Sequence, residues 1–154
     1  MLYPNKTILL SGGFDPIHVG HVQMMQNAAK IARVIVAVNT DEWLERKKGY
    51  IFMPEAQRIQ IVQAIEGVDY AFSMRDMPPL GEHPGSDDDN TACAAIRYLR
   101  PDFFGNGGDR KLGAAPEDEV CVLYVCKQIY GLGGNDKPQS SSWLVNSAME
   151  QLKK

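Results

Sequence analysis

Two short apolar runs near the start of the chain constrain its fold more than any other feature. Residues 7–10 and 33–39 are apolar and rich in β-branched side chains, as are strands that a parallel sheet buries on both faces. Residues 23–32, between them, have the composition of a helix. Two parallel strands joined by one helix form a right-handed βαβ unit, which binds ligands beyond the carboxyl ends of its strands. The chain therefore predicts an α/β fold.

Three further runs extend the predicted sheet. Residues 68–73 predict a third strand, residues 102–105 a short aromatic fourth strand, and residues 129–132 a fifth strand. Segments of helical pattern separate these runs, and 154 residues suffice for one hydrophobic core. We therefore predict one Rossmann-like domain over residues 1–154, with a five-stranded parallel sheet flanked by helices.

The composition argues against several classes of protein. Lys and Arg total 16 against 19 Asp and Glu, with no basic run, so we expect no nucleic-acid partner. No apolar run approaches the roughly 18 residues that a spanning helix needs, so we expect no membrane partner. Cys93, Cys121 and Cys126 lack the spacing of a metal knuckle and are odd in number. These features favour a cytoplasmic protein with buried thiols.

The segment between the first strand and the first helix has the features of a phosphate site. Gly12 and Gly13 allow close approach of a ligand to the backbone, and a helix start offers unpaired N–H groups. His18 and His21 are three residues apart on a first helical turn, so both imidazoles can face one anion, and Gly20 leaves room for a flat ligand. The alternatives are a zinc pair and two surface histidines; against zinc, the remaining histidine and the cysteines show no ligand spacing.

Residues 12–21 also carry the pattern Gly-x-Phe-Asp-x-x-His-x-Gly-His. This pattern resembles the signature of the nucleotidyltransferase superfamily that contains cytidylyltransferases and adenylyltransferases, whose members transfer NMP from an NTP to a phosphorylated acceptor. The resemblance implies that His18 and His21 are catalytic. The nucleotide-binding residues that it implies in this segment are Gly12, Gly13, Phe14, Asp15 and Gly20.

Two cationic residues beyond the second strand fit the same resemblance. Residues 46–49, Arg-Lys-Lys-Gly, stand where the family has a lysine-bearing loop near the acceptor phosphate, which implies substrate binding by Lys48. The family also has a Glu-x-Arg helix whose arginine contacts nucleotide phosphate, and Arg58 matches that arginine alone. The alternatives are a solvated helix end that complements the dipole, for Lys48, and a surface salt bridge, for Arg58.

Two later segments complete the resemblance. The Gly-Gly-Asp turn at 107–109 is similar to one in heptose-phosphate adenylyltransferases and glycerol-phosphate cytidylyltransferases, which implies nucleotide binding by Gly108 and Asp109. Without the resemblance, these residues are explained equally well as a tight turn that has no ligand. Three serines open the last helix, where they can cap it or bind phosphate together with the free N–H groups. These nucleotide-binding candidates are Ser140, Ser141 and Ser142.

The resemblance covers nearly the whole chain and implies one reaction. The acceptor phosphate attacks the α-phosphorus of the NTP, pyrophosphate leaves, and Mg²⁺ is carried with the nucleotide. ATP is favoured over CTP, because residues 135–139 lack the arginine that precedes the serine element in cytidylyltransferases. The expected acceptor is a phosphorylated sugar or polyol. A nicotinate-nucleotide or phosphopantetheine adenylyltransferase and a non-catalytic nucleotide-binding module are the alternatives, and the resemblance also suggests a homodimer.

Overall fold

A computed structural model describes residues 1–77, 92–108, 113, 115–134 and 140–153. Within these ranges five parallel strands form one sheet, flanked by six α-helices. The strands are β1 (Tyr3–Gly12), β2 (Ala32–Val38), β3 (Val68–Ser73), β4 (Phe103–Gly105) and β5 (Lys127–Ile129). The helices are α1 (Val19–Ala29), α2 (Asp41–Lys48), α3 (Glu55–Gln63), α4 (Cys93–Leu99), α5 (Glu117–Leu123) and α6 (Ser141–Leu152). The predicted Rossmann-like α/β fold is confirmed.

The order of the strands in the sheet determines where a crevice opens at its carboxyl edge. The sheet runs β3-β2-β1-β4-β5, so β1 is central and pairs in parallel with both β2 and β4. The chain moves outward from β1 in one direction through β2 and β3, and in the other through β4 and β5. Loops that leave the carboxyl ends of strands on the two sides of such a switch point diverge and open a crevice. The turn that follows β1 lies at this crevice.

The central strands are apolar along their length because helices cover both faces of the sheet. Ile8 and Leu10 of β1 point to the face that α1 and α3 cover, where Met25 and Val62 pack against them. Leu9, between them in the chain, points to the face covered by α4 and α5. The predicted burial of the three thiols is confirmed, and all of them lie in this second core.

Several boundaries differ from the predicted ones. The first helix begins at Val19, four residues earlier than residues 23–32 predict, because His18 caps it. The fifth strand occupies Lys127–Ile129, ahead of the predicted 129–132. It starts early because α5 ends at Leu123 and Val125 takes a left-handed backbone conformation, with φ of 56°, that stops the helix. None of the helices in the described ranges combines the length and the apolar character needed to cross a membrane.

Candidate active site

Asp15 fixes the turn that follows β1. The residue is 0% exposed, and its two carboxylate oxygens accept hydrogen bonds from the backbone N–H groups of Phe52 (2.7 Å) and Met53 (2.6 Å). A buried carboxylate needs such partners, since an unpaired one would be costly. The side chain therefore holds the loop between α2 and α3 against the turn. Both carboxylate oxygens are buried and engaged within the protein, and the predicted nucleotide binding by Asp15 stays a prediction.

Close packing within the protein explains the residue types at Gly12, Gly13 and Phe14. The Phe14 ring is buried in the core beside Gly12, where a Cβ would lie only 3.0 Å from Cζ of that ring. On Gly13 a Cβ would lie 2.8 Å from Cδ2 of Leu44 in α2. The ring of Phe14 is therefore a core group, and nucleotide binding by this residue stays a prediction. Backbone contacts of the glycines with nucleotide stay a prediction.

The two histidines form a stacked pair at the first turn of α1. Nδ1 of His18 accepts a hydrogen bond from the Gly20 N–H (3.1 Å), and Nδ1 of His21 accepts one from the His18 N–H (3.3 Å). Each ring thus satisfies a backbone donor that the helix start would otherwise leave unpaired. The ring centroids are 3.8 Å apart, with planes inclined by 22°. The predicted placement of both imidazoles on one face is confirmed.

These hydrogen bonds determine which ring nitrogen carries the proton. An imidazole that accepts at Nδ1 is neutral and protonated at Nε2. Burial chiefly, together with electrostatic repulsion from the neighbouring His18 ring and the Lys48 ammonium group, lowers the pKa of His21 to about 3. His21 is therefore neutral at pH 7 and has an N–H donor at Nε2. Such a donor can bind a phosphate oxygen without taking or giving a proton.

Arg58 is buried in the interior of the site. The residue is 1% exposed, and its Nη1 donates to the carbonyl oxygens of Gly13 and Asn39, both at 2.7 Å. Its Nε donates to the Met53 carbonyl (2.9 Å), and its Nη2 pairs with the Asp41 carboxylate (2.6 Å). The guanidinium is engaged on every nitrogen and closed to solvent, and its predicted contact with nucleotide phosphate stays a prediction. The alternative of a surface salt bridge is wrong, since Arg58 is buried and joins the exits of β1 and β2 from within.

Two side chains from different helices donate to consecutive carbonyl groups of the turn. Lys48, at the end of α2, donates from Nζ to the Asp15 carbonyl (2.9 Å). Ser141, at the start of α6, donates from Oγ to the Pro16 carbonyl (2.8 Å). Burial lowers the pKa of Lys48, as does the charge of Arg58, while Asp15 opposes them. The helices that carry the predicted acceptor-binding and nucleotide-binding residues therefore both meet the turn ahead of His18.

The three serines occupy three different environments at the start of α6. Ser140 caps the helix by accepting the Trp143 N–H at 3.1 Å, Ser141 is tied to Pro16, and Ser142 is exposed. One serine thus provides the cap, and the other two lie beside the site or open to solvent. Their contacts with phosphate stay predictions, and Asp109 lies outside the described residues.

The loops after β4 and β5 meet the first turn of α1 at a group of glycines. A Cβ on Gly133 would lie 3.6 Å from the Gly108 nitrogen and 3.8 Å from the Gly20 oxygen. Gly108 has φ of 65°, a left-handed conformation that favours glycine. The structure thus brings two predicted nucleotide-binding glycines together. Sequence alone assigns no role to Gly133, although the glycine-rich run that contains it is a signal of close backbone approach.

Trp43 is a second residue of the site that sequence alone does not single out. Its Cζ3 atom lies 3.5 Å from the position that a Cβ on Gly13 would take, so the indole borders the turn after β1. Lys47, one helical turn later, places Nζ 5.7 Å from the centroid of the indole ring. The sequence feature that could have identified Trp43 is its i, i+4 spacing to Lys47, next to the candidate Lys48.

We expect the substitution Arg58→Met to lower the free energy of unfolding by roughly 3–5 kcal/mol, because it leaves three carbonyl oxygens without donors and Asp41 without its cation. Urea denaturation measures this loss. The matched control is Arg33→Met, whose exposed pair with Asp69 at 3.6 Å is worth about 1 kcal/mol or less. Similar losses for the two variants would contradict a buried role for Arg58.

The low pKa of His21 predicts a loss of stability in acid. The unfolded chain protonates this group near its ordinary value of 6.5, whereas the folded chain does so at about 3, so stability falls as the pH drops from 6.5 towards 3. Between pH 7.5 and pH 5.0 we expect the free energy of unfolding to fall by on the order of 2 kcal/mol more in the unsubstituted protein than in His21→Gln. Urea titrations at the two pH values measure the difference, and equal losses would show that His21 titrates normally.

Comparison with known proteins agrees with this geometry. The family model described as cytidylyltransferase-like matches residues 9–125. The bifunctional protein HldE of Cronobacter sakazakii is 32% identical over 133 residues, which are 84% of this chain and 24% of that protein. The bifunctional protein HldE of Vibrio vulnificus (strain YJ016) is 34% identical over 135 residues, with shares of 86% and 24%. The chain thus spans about a quarter of the length of these curated relatives.

A solved structure has the same fold. The crystal structure of the lipopolysaccharide core biosynthesis protein from Thermoplasma volcanium GSS1 superposes with a TM-score of 0.59 at 20% identity, over 81% of this chain and 94% of that one. The matched family region includes the end of β1, the histidine pair, Lys48 and Arg58. The chain therefore belongs to the cytidylyltransferase-like family, a membership that supports the predicted enzyme class, a nucleotidyltransferase.

Proposed function

We propose that this domain transfers NMP from an NTP to a phosphorylated sugar or polyol and releases pyrophosphate. The observation that carries the proposal is the stacked histidine pair, in which backbone donors occupy both Nδ1 atoms at the switch point of the sheet. Their Nε2–H groups are the donors that charge on a transferring phosphoryl group requires. ATP is the favoured nucleotide on the composition of residues 135–139, which lie outside the described residues.

The chemistry suits neutral histidines. An oxygen of the acceptor phosphate attacks the α-phosphorus, and the bond from that phosphorus to the bridging oxygen of the β-phosphate breaks. A phosphate monoester is largely ionised at pH 7, so its oxygen attacks without a general base. Rigid N–H donors in a partly buried site stabilise the charge that develops on the α-phosphoryl oxygens and on the leaving pyrophosphate. His21, with its pKa lowered to about 3, keeps its proton at Nε2 throughout.

Lys48 and the start of α6 both contact the turn, and we match Lys48 to the acceptor and α6 to the nucleotide. Lys48 is a half-buried cation next to the turn, and an anionic acceptor phosphate would compensate the burial that lowers its pKa. The start of α6 offers hydroxyl groups, backbone N–H groups and the positive end of a dipole to the polyphosphate of the nucleotide. Ser141 connects this helix start to the turn through the Pro16 carbonyl.

The side chains near the histidines indicate how the expected Mg²⁺ would be held. Among the residues that the structure describes, no three His, Cys, Asp or Glu side chains cluster closely enough to hold a metal ion. The carboxylate of Asp15, the nearest to the histidines in the turn, is occupied by backbone donors. We propose that Mg²⁺ enters with the nucleotide, whose phosphates and waters supply its ligands, and there it neutralises polyphosphate charge.

We also propose a cytoplasmic homodimer. Three buried free thiols suit a reducing compartment. Large apolar side chains at the end of α5 and along α6 are 70–86% exposed and would gain from burial against a second copy. They are Val122, Leu123 and Leu152.

The test of the proposed reaction is pyrophosphate release in the presence of Mg²⁺. ATP and CTP are each paired with heptose 1-phosphate, glycerol 3-phosphate, nicotinate mononucleotide and phosphopantetheine. We expect turnover with ATP and a sugar or polyol phosphate. Turnover with nicotinate mononucleotide or phosphopantetheine instead would replace the proposed acceptor, and tight ATP binding without turnover across the panel would favour a binding module.

Substitution of the histidines tests their roles in this reaction. We expect His21→Ala and His18→Asn each to lower kcat by about 10²- to 10³-fold, the usual effect of removing one donor to a developing charge. Asn keeps a side-chain acceptor for the helix cap, so His18→Asn separates capping from catalysis. Thermal unfolding checks that each variant folds, and His83→Ala, at the remaining histidine, is the control. Unchanged turnover in either site variant would refute the mechanism.

A further inference from the structure

Building on the proposed function, we propose that Trp43 is a specificity residue of the acceptor site, where its indole packs against the ring of a cyclic sugar phosphate. The indole borders the turn after β1, with Cζ3 3.5 Å from the position of a Cβ on Gly13. The same turn leads through Asp15 and Pro16 to the histidine pair. A ligand seated on the open part of the indole would therefore lie against the turn that leads to the histidine pair.

Packing of the core does not require an indole at this position. Leu44, the next residue of α2, is fully buried and fills the space beside Gly13, where its Cδ2 approaches to 2.8 Å of the Cβ position. Trp43 is only partly buried, and it leaves aromatic surface open next to a candidate active site. Large aromatic side chains carry much apolar area and a polar N–H, so they are well suited to binding ligands that have both characters.

The charges around the indole indicate what kind of ligand it takes. Lys47 places Nζ 5.7 Å from the ring centroid, and Lys48 places Nζ on the Asp15 carbonyl, so one ammonium group borders the aromatic surface and a second lies on the turn that the indole borders. A sugar ring presents a face of C–H groups to an aromatic ring, and a phosphate on that ring would reach the ammonium groups. An acyclic polyol phosphate has the anion without the apolar face.

A second aromatic residue is tied to the turn through its backbone. The backbone N–H of Phe52 donates to the Asp15 carboxylate at 2.7 Å, which anchors this residue to the turn. Its side chain is nevertheless 56% exposed. Apolar side chains left open beside a candidate site indicate contact with a ligand. The turn after β1 thus has the partly open Trp43 indole with Lys47 beside it, Lys48 on its Asp15 carbonyl, and the exposed Phe52 tied to it by the backbone, a set that favours a ring-form sugar phosphate over glycerol phosphate.

Kinetics of Trp43 variants test the proposal. We expect Trp43→Leu, which keeps apolar bulk but loses the ring, to raise the KM for heptose 1-phosphate by about tenfold, equivalent to about 1.4 kcal/mol. Trp43→Phe restores an aromatic face and should bring that KM back to within about threefold of the original value. The KM for glycerol 3-phosphate and for ATP should change by less than about twofold in both variants, a split that general misfolding would not produce.

Fluorescence tests binding without turnover. The chain has two tryptophans, so in a Trp143→Phe background all indole emission comes from Trp43. Titration with heptose 1-phosphate should change that emission and saturate, whereas inorganic phosphate at equal concentration should change it little. A saturating change without pyrophosphate release from any substrate pair would refute the proposed reaction and leave the Trp43 contact supported. Turnover with an unchanged KM in Trp43→Leu would refute the Trp43 contact alone, and absence of both signals would refute both proposals.

Discussion

The guanidinium of Arg58 is the contact on which the geometry of the site depends. It donates to the carbonyls of Gly13 and Asn39, which follow the adjacent strands β1 and β2, and to the Met53 carbonyl ahead of α3. A buried cation persists only where acceptors surround it, and Asp41 supplies the opposite charge at 2.6 Å. Three loops at the carboxyl edge of the sheet are thereby fixed relative to one another, which a site that works by positioning requires.

Asp15 provides the complementary anchor from the other side of the turn. Its carboxylate accepts two backbone N–H groups, while its carbonyl and that of Pro16 accept from Lys48 and Ser141. The turn is thus bound to α2, to the loop before α3 and to α6. His18 begins α1 directly beyond it, so every element that meets the turn helps to set the position of the histidine pair.

Much of the fold could be predicted, because strong local patterns carry it. The buried runs of β1 and β2 are apolar on both faces, a pattern that only a parallel sheet covered by helices requires. The stacked histidines follow from their spacing at a helix start. The predicted bounds of short elements are less accurate. The strand β5 has only three residues, and its start depends on the left-handed backbone conformation of Val125, which the composition does not predict.

The sequence by itself determined the order of the strands in the chain, the glycine-containing turn after β1 and the pairing of His18 with His21, because these depend on local spacing and periodicity. Only the tertiary structure decided the roles of the residues around them. Arg58 and Asp15 proved to be buried anchors, and Trp43 proved to border the turn, because burial and hydrogen-bond partners come from segments distant in the chain. The sequence pattern around a charged residue is the same whether its side chain contacts a ligand or the carbonyl groups of the protein. Only the tertiary structure shows which of these two contacts the side chain makes.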